Sequence, residues 1–456
     1  MSTIDDINPA TGKLRMRHET VSQDELGYII KAAEAARHDW MCLALTQRCD
    51  RMRQAATLLH DDHDYYAMMI TEEMGKPITQ AKAEIDKCAW LCEHYADNAA
   101  AYLTPELIQT EKSKSYRCFK PLGIIFAIMP WNFPFWQVMR FAVPNLLAGN
   151  AGLLKHASNT PAAGQAIQEL FMKAGFPQHL FQSVIINNDS CDFIINHPLI
   201  AGVTLTGSER AGASIAAQAG KALKKVVLEL GGSDPYVILA DADLALAAEQ
   251  CVLSRLSNSG QVCIAAKRII VVDAVREAFL EKLLSLINTY QMGDPTDPNT
   301  NLGPLAREDL REQLHNQVQR SIAAGSQCVM GGDIPTGVGY YYPPTVLLDV
   351  KKGMPAYDEE LFGPVVSVIF AKDEAEAIDI ANDTRYGLGA AVFTQDLARG
   401  EMIARDKLEA GTCSVNALVG SDPRLPFGGI KLSGYGRELA AEGMREFMNI
   451  KTVVIK

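Results

Sequence analysis

Long apolar runs are missing from this 456-residue sequence, and so is any surplus of positive charge. The most hydrophobic stretch, 122–154, is broken by Pro130, Asn132, Pro134, Arg140 and Pro144, so it reads as protein core and not as a membrane span. The N-terminal MSTIDDINPATGKL carries acids and a turn where an export signal needs a basic start and an apolar stretch. Lys and Arg number 43 against 54 Asp and Glu, a formal charge of -11. That balance argues against nucleic acid or an anionic membrane as the main partner. No two of the 10 cysteines stand as C-x-x-C, which removes a zinc ribbon and a dithiol redox motif. No His, Asp, Glu or Cys cluster has metal-ligand spacing either, so no metal is expected. Dispersed thiols suit a reducing compartment, and a cytoplasmic location is expected. There is no low-complexity linker and no fixed-period repeat. What remains is a chain long enough for two or three domains, with the composition of an ordinary soluble globular protein, and a small-molecule enzyme is the expectation.

The organisation is alternating. Residues 22–64 and 70–101 have apolar positions at helical spacing and predict a helical opening segment. From 116 onward, LGIIFAIMP, NAGLLKHA, QSVIINN and AGVTLTGS are short apolar runs ending at Pro, Gly, Asn or Ser, with helix-like stretches between them. A second alternation begins near 236 with PYVILAD and continues through RIIVVD and VVSVIFA. Parallel strands joined by crossover helices produce this pattern, and two doubly wound α/β units are expected. The terminal NIKTVVIK is a β-prone run that must pair with its own chain or with another subunit.

Three constellations could carry chemistry. Cys263 lies in SNSGQVCIAAKR among small and polar residues; a cysteine is ordinarily a packing residue, yet Gly260 permits close backbone approach here, and a thiolate is a strong nucleophile. Glu229 stands inside the apolar run VVLEL, where burial would raise its proton affinity and suit it to general base catalysis; strand alternation turning it to solvent is the other reading. Asn132, between Pro130 and Pro134, is either a turn former or a fixed amide donor for an oxyanion. At the predicted strand ends, Gly207 with Ser208 precedes a helix-like stretch, and a helix N-terminus there would suit phosphate. Lys155 ends another run at the sheet edge where ligands of open α/β sheets bind, unless it is merely solvated.

Taken in order, PWNFP (130–134), LLKHAS (153–158), LTGS (205–208), LELGG (228–232), GQVC (260–263), EELFGP (359–364) and PFGGIKLSGYGRE (426–438) resemble the signature of the aldehyde dehydrogenase superfamily over essentially the whole chain. The resemblance implies two doubly wound α/β domains, nucleotide-binding (1–108 and 122–229) and catalytic (230–430), with a small β oligomerisation element (109–121 and 440–456). It also implies that Cys263 attacks the aldehyde, that Asn132 and the Cys263 N–H hold the oxyanion, and that Glu229 activates water. The resemblance also gives Glu438 a supporting role as a proton relay near Glu229. Glu360 and Phe362 match the contacts to the nicotinamide ribose and ring, Gly207 and Ser208 the pyrophosphate contact, and Lys155 the adenine ribose contact. Trp131 and Leu230 fall in the same cofactor groove. Members that prefer NAD commonly carry a glutamate three residues after that lysine; here Ser158 occupies the position, so use of both NAD and NADP is expected.

Arg140 informs on substrate. Almost every neighbour in FPFWQVMRFAVPNLL is apolar, so the arginine either snorkels or requires an anionic partner. Its position resembles that of an arginine with which succinate semialdehyde dehydrogenases hold the substrate carboxylate, and Ser421 resembles a serine in the same role. The second arginine of several such enzymes, six residues before the cysteine, is here Ser257, leaving Arg255 and Arg424 as substitutes. The expectation is oxidation of a short ω-carboxy aldehyde, succinate semialdehyde first and glutarate semialdehyde next, by a homodimer or homotetramer. A broad aliphatic or aromatic aldehyde dehydrogenase and a catalytically silent binding protein of the same fold are the alternatives.

Overall fold

The computed structural model describes residues 2–456. Two largely parallel sheets organise it. The first has six strands in the order Gly434–Tyr435, Lys225–Glu229, Ile200–Thr206, Ile124–Met129, Ala151–His156 and Phe181–Ser183. All pair in parallel except Gly434–Tyr435, which runs antiparallel to Lys225–Glu229. Helices Trp136–Ala148, Pro161–Lys173 and Glu209–Lys221 make the crossovers. The second sheet has seven strands in the order Gln327–Met330, Thr345–Leu348, Val365–Ala371, Ala266–Val272, Asp234–Ile238, Gly389–Phe393 and Thr412–Val415. Only its first pair is antiparallel. Central strands such as Ile124–Met129 are buried almost along their length, which is why this one reads as an unbroken apolar run.

The opening segment forms helices Gln23–Met41, Leu45–Asp61, His63–Met74 and Ile78–Leu103. Ser22 starts the first with a capping box: its Oγ accepts the Glu25 N–H at 3.3 Å, and Glu25 accepts the Ser22 N–H at 2.8 Å. Ahead of them, Thr3–Asn8 and Lys13–Glu19 form a hairpin around the turn read at NPATG.

The terminal run is strand Met448–Ile455, paired antiparallel with Lys114–Pro121 of its own chain; Glu106–Leu107 completes a three-stranded sheet. Ala440–Glu446, just before it, is a helix packed on Trp136–Ala148. QSVIINN is strand only over Phe181–Ser183, because the chain leaves the sheet at Val184, whose N–H still reaches the Leu154 carbonyl.

Candidate active site

Cys263 sits where two cavities meet, lining both of them. Its loop is built for that position. Asn258, Ser259 and Gly260 all adopt left-handed backbone, with φ of 51°, 53° and 75°, a conformation that side chains disfavour and that surrounding contacts must hold. Those contacts are dense. Asn258 Nδ2 donates to the Asn132 carbonyl at 2.8 Å, Ser259 Oγ to the Gly303 carbonyl at 2.9 Å, and the Asn258 N–H to Gln80 Oε1 at 2.6 Å. A Cβ on Gly260 would run into the Gly363 carbonyl, so only glycine fits.

Beneath this loop lies Arg255. It is fully buried and donates to the carbonyls of Val365, Leu361, Gly363 and Gly260. Its donors are committed to backbone, so it does not substitute for the missing arginine. Nor does Arg424, which is forked onto Asp422 at 2.9 and 2.6 Å. Neither lines the cavities around Cys263.

Asn132 is buried and donates one amide N–H to the Gln261 carbonyl at 3.0 Å. An amide nitrogen has two hydrogens, so a second donor remains beside the cysteine loop. Burial pushes the Cys263 thiol up to about 11, against the opposing pull of Lys267 and Arg140. Lys267 donates to the Cys263 carbonyl at 2.6 Å and pairs with Glu360 at 2.8 Å, which ties the cysteine loop to Glu360.

Glu229 ends strand Lys225–Glu229 and is buried; neither carboxylate oxygen has a hydrogen-bond partner. The solvent-facing reading of its alternation is therefore excluded. Burial first, and the negative charge of Glu438 second, hold its carboxyl well above the usual carboxylate range. Glu438 is buried as well and is raised by burial, with Arg140 drawing it back down.

The first cavity, about 360 Å³, is lined by Trp131, Asn132, Gly207, Ser208, Glu229, Leu230, Glu360 and Phe362 together with Cys263. Ser208 caps helix Glu209–Lys221, accepting the Ala211 N–H at 3.3 Å, so the free first-turn N–H groups meet the cavity. Thr206 Oγ1, also on this wall, is buried without a partner. Farther along the strand ends, Lys155 is buried and lowered by that burial, Asn159 has both amide atoms buried and unpartnered, and Ser158 is exposed. Unspent donors at a helix N-terminus and an unpaired lysine farther along the strand ends suit a dinucleotide, so these residues fit a nicotinamide cofactor.

The second cavity, about 300 Å³, contains Arg140 and Ser421, and two residues that sequence reasoning did not single out, Lys87 and Trp136. Arg140 is buried, and the anion its burial demands is present within the chain: Glu438 lies 2.7 Å away. The ion pair engages Nη2 and leaves Arg140 Nε buried without an acceptor. Lys87 donates to Ser421 Oγ at 3.0 Å and lies 4.3 Å from the Trp136 ring. Nothing local in the sequence marks Lys87, because 334 residues separate it from Ser421.

Comparison with known proteins agrees with this geometry. A model described as "Aldehyde dehydrogenase family" matches residues 1–453. The succinate semialdehyde dehydrogenase [NAD(P)+] Sad of Escherichia coli (strain K12) is 46% identical over 447 residues, covering 98% of this chain and 96% of that one. A probable succinate-semialdehyde dehydrogenase [NADP(+)] of Synechocystis is 46% identical over 449 residues, covering 98% and 99%. The crystal structure of succinic semialdehyde dehydrogenase from Streptococcus pyogenes with NADP+ superposes with a TM-score of 0.97 at 38% identity over 99% of both chains.

Proposed function

The chain belongs to the aldehyde dehydrogenase family, and from that premise we propose that it oxidises succinate semialdehyde, or a similarly short ω-carboxy aldehyde, to the acid with NAD or NADP. The observation that carries this reading is the place of Cys263 between a cleft suited to a dinucleotide and a second cavity lined by three cations.

Cys263 gives up its thiol proton to solvent in the cavity, and Sγ attacks the aldehyde carbon, whose π electrons move onto oxygen. The second Asn132 N–H and the Cys263 backbone N–H receive the oxyanion, a contribution of about 3 kcal/mol per donor where such donors have been removed. Trp131, Gly207, Ser208, Leu230, Glu360 and Phe362, together with Lys155 and Ser158, would hold the nicotinamide cofactor, which when bound would supply the hydride acceptor. A thioester on Cys263 remains. Glu229 takes a proton from water as that water attacks the thioester carbon, and Sγ leaves with the acid released. Glu438 is a positioning residue: its charge raises the proton affinity of Glu229 and anchors Arg140.

Arg140 and Ser421 bind the terminal carboxylate. The test compares succinate semialdehyde with butanal, its neutral analogue of equal chain length. Arg140→Leu should lower kcat/KM for the carboxylated aldehyde about 10- to 100-fold more than for butanal, as expected for loss of a hydrogen bond to charge. An equal effect on the two substrates would remove the clamp. We place the enzyme in the cytosol because its 10 cysteines are all free thiols, and as a homodimer or homotetramer because of the bare strand edge considered below. No helix among the described residues is long and apolar enough to cross a membrane.

A further inference from the structure

Three cations line the second cavity: Lys76, Lys87 and Arg140. Lys76 is paired with Glu84, whose other oxygen accepts the N–H groups of Phe135 and Trp136 at 2.9 Å each. Arg140 is charge-balanced by Glu438. Lys87 has no carboxylate partner among the described residues. Asp422, next to Ser421, is committed to Arg424. The surplus positive charge of this cavity therefore belongs to Lys87.

Ser421 adds a second, independent observation. Its Oγ accepts from Lys87 Nζ at 3.0 Å and from Trp136 Nε1 at 3.1 Å. A hydroxyl oxygen has two lone pairs and one hydrogen, so the acceptor capacity is full and the O–H is unspent. With Arg140 Nε also lacking an acceptor, the wall presents donors from three chain segments, and of its two cations nearest Ser421 only Arg140 has a carboxylate beside it. A carboxylate, with two acceptor oxygens and a negative charge, completes such a set.

We propose that Lys87 is the second cation of the substrate clamp, binding the terminal carboxylate together with Ser421 and Arg140 and taking the place of the arginine that position 257 lacks. This rests on the reading of the site as that of an ω-carboxy aldehyde dehydrogenase. Burial holds the Lys87 ammonium down to about 8; Arg140 acts in the same direction, while Cys88, Asp422 and Glu84 act against it. A free enzyme with this lysine binds a carboxylate less well as pH rises past that value, because the neutral amine carries no charge.

The experiment measures kcat/KM for succinate semialdehyde and butanal, as a ratio, between pH 6.5 and pH 9, in the full-length wild type, Lys87→Met and Lys87→Arg. In the wild type the ratio should favour the carboxylated aldehyde and fall above about pH 8. Lys87→Met should lower the ratio about 10- to 100-fold at neutral pH, through KM more than kcat, and flatten its pH dependence. Lys87→Arg should restore the preference and keep it to higher pH, which loss of packing alone would not do. If the wild type prefers the carboxylated substrate and Lys87→Met keeps that ratio, Lys87 is not in the clamp and the ω-carboxy reading stands. If the wild type shows no preference, both ideas fall. Should Lys87→Met yield no folded enzyme, the wild-type and Lys87→Arg pH profiles decide, and identical profiles overturn the assignment.

Discussion

In the free molecule the proposed nucleophile and base, Cys263 and Glu229, are both short of charge. Burial holds the Cys263 thiol up at about 11, and Glu229 is raised well above the carboxylate range by burial and by Glu438. A carboxyl with raised proton affinity becomes an effective base only as pH climbs through its shifted value, so hydrolysis of the thioester should accelerate with pH on the acid limb, from a point above the ordinary value of about 4. Glu229→Gln should lower steady-state kcat by about 10² to 10⁴, the usual contribution of a general base, and abolish that acid limb. Rapid quenching followed by mass spectrometry should then find the acyl group accumulating on Cys263, with a burst of reduced cofactor equal to the enzyme concentration. Loss of the burst along with turnover would move the role of Glu229 to the first half-reaction. The residues in this pair were legible because their peculiarity is local: an acid in an apolar run, a cysteine after a glycine among small polar neighbours. Lys87 was not, because its meaning depends on a hydroxyl 334 residues away. Arg140 lay between these cases. Its need for an anion could be read from its neighbours, but its internal partner Glu438 could not.

One strand end shows how an element, more than any single residue, sets the site. Strand Ala151–His156 finishes on His156, whose Nε2 donates to the Pro134 carbonyl at 2.9 Å, while Nδ1 accepts from the Ala157 N–H and the Thr160 hydroxyl at 2.8 Å each. The ring thereby fixes the Pro-bounded turn that carries Asn132, and it must stay neutral, because protonated Nδ1 could not accept. Burial, aided by Lys155, lowers it to about 4. An unfolded histidine titrates near 6.5, so between about 6.5 and 4 the unfolded chain takes up a proton that the folded chain refuses. Stability present above about pH 6.5 is lost as pH falls through that window, up to roughly 3 kcal/mol in all. Urea unfolding of the wild type and His156→Gln at pH 7 and pH 5 should show the wild-type advantage shrinking by about 2 kcal/mol at the lower pH. A constant gap would mean that the imidazole does not carry this linkage. Central strands such as Ile124–Met129 were readable from sequence because burial on both faces leaves an uninterrupted apolar signal. Thr345–Leu348, Gly389–Phe393, Thr412–Val415 and the hairpin Thr3–Glu19 were not singled out. They are short, flanked by turn formers or exposed on one side, and their pairing is set by distant segments.

At the scale of the whole molecule, the three-stranded sheet is the feature with no evident purpose in a monomer. Its order places Met448–Ile455 at an edge, so eight residues present one row of backbone N–H and C=O groups without partners. Ile450, Val454 and Ile455 on that strand are about half exposed, and Leu107 at the opposite edge is 75% exposed. Edge strands are ordinarily protected by shortness, proline or charge; here the strand is long, has no proline and carries only Lys451 before its last residue. Covering it with a second copy would satisfy the backbone row and bury the apolar side chains at once. Light scattering should therefore give a mass two or four times the 49.7 kDa chain. Ile450→Lys combined with Val454→Lys leaves the strand's internal pairing to Lys114–Pro121 intact while charging the outer surface, and should shift the mass toward a single chain. A wild type that is monomeric at micromolar concentration, or a doubly charged variant that keeps the wild-type mass, would place the purpose of this sheet elsewhere.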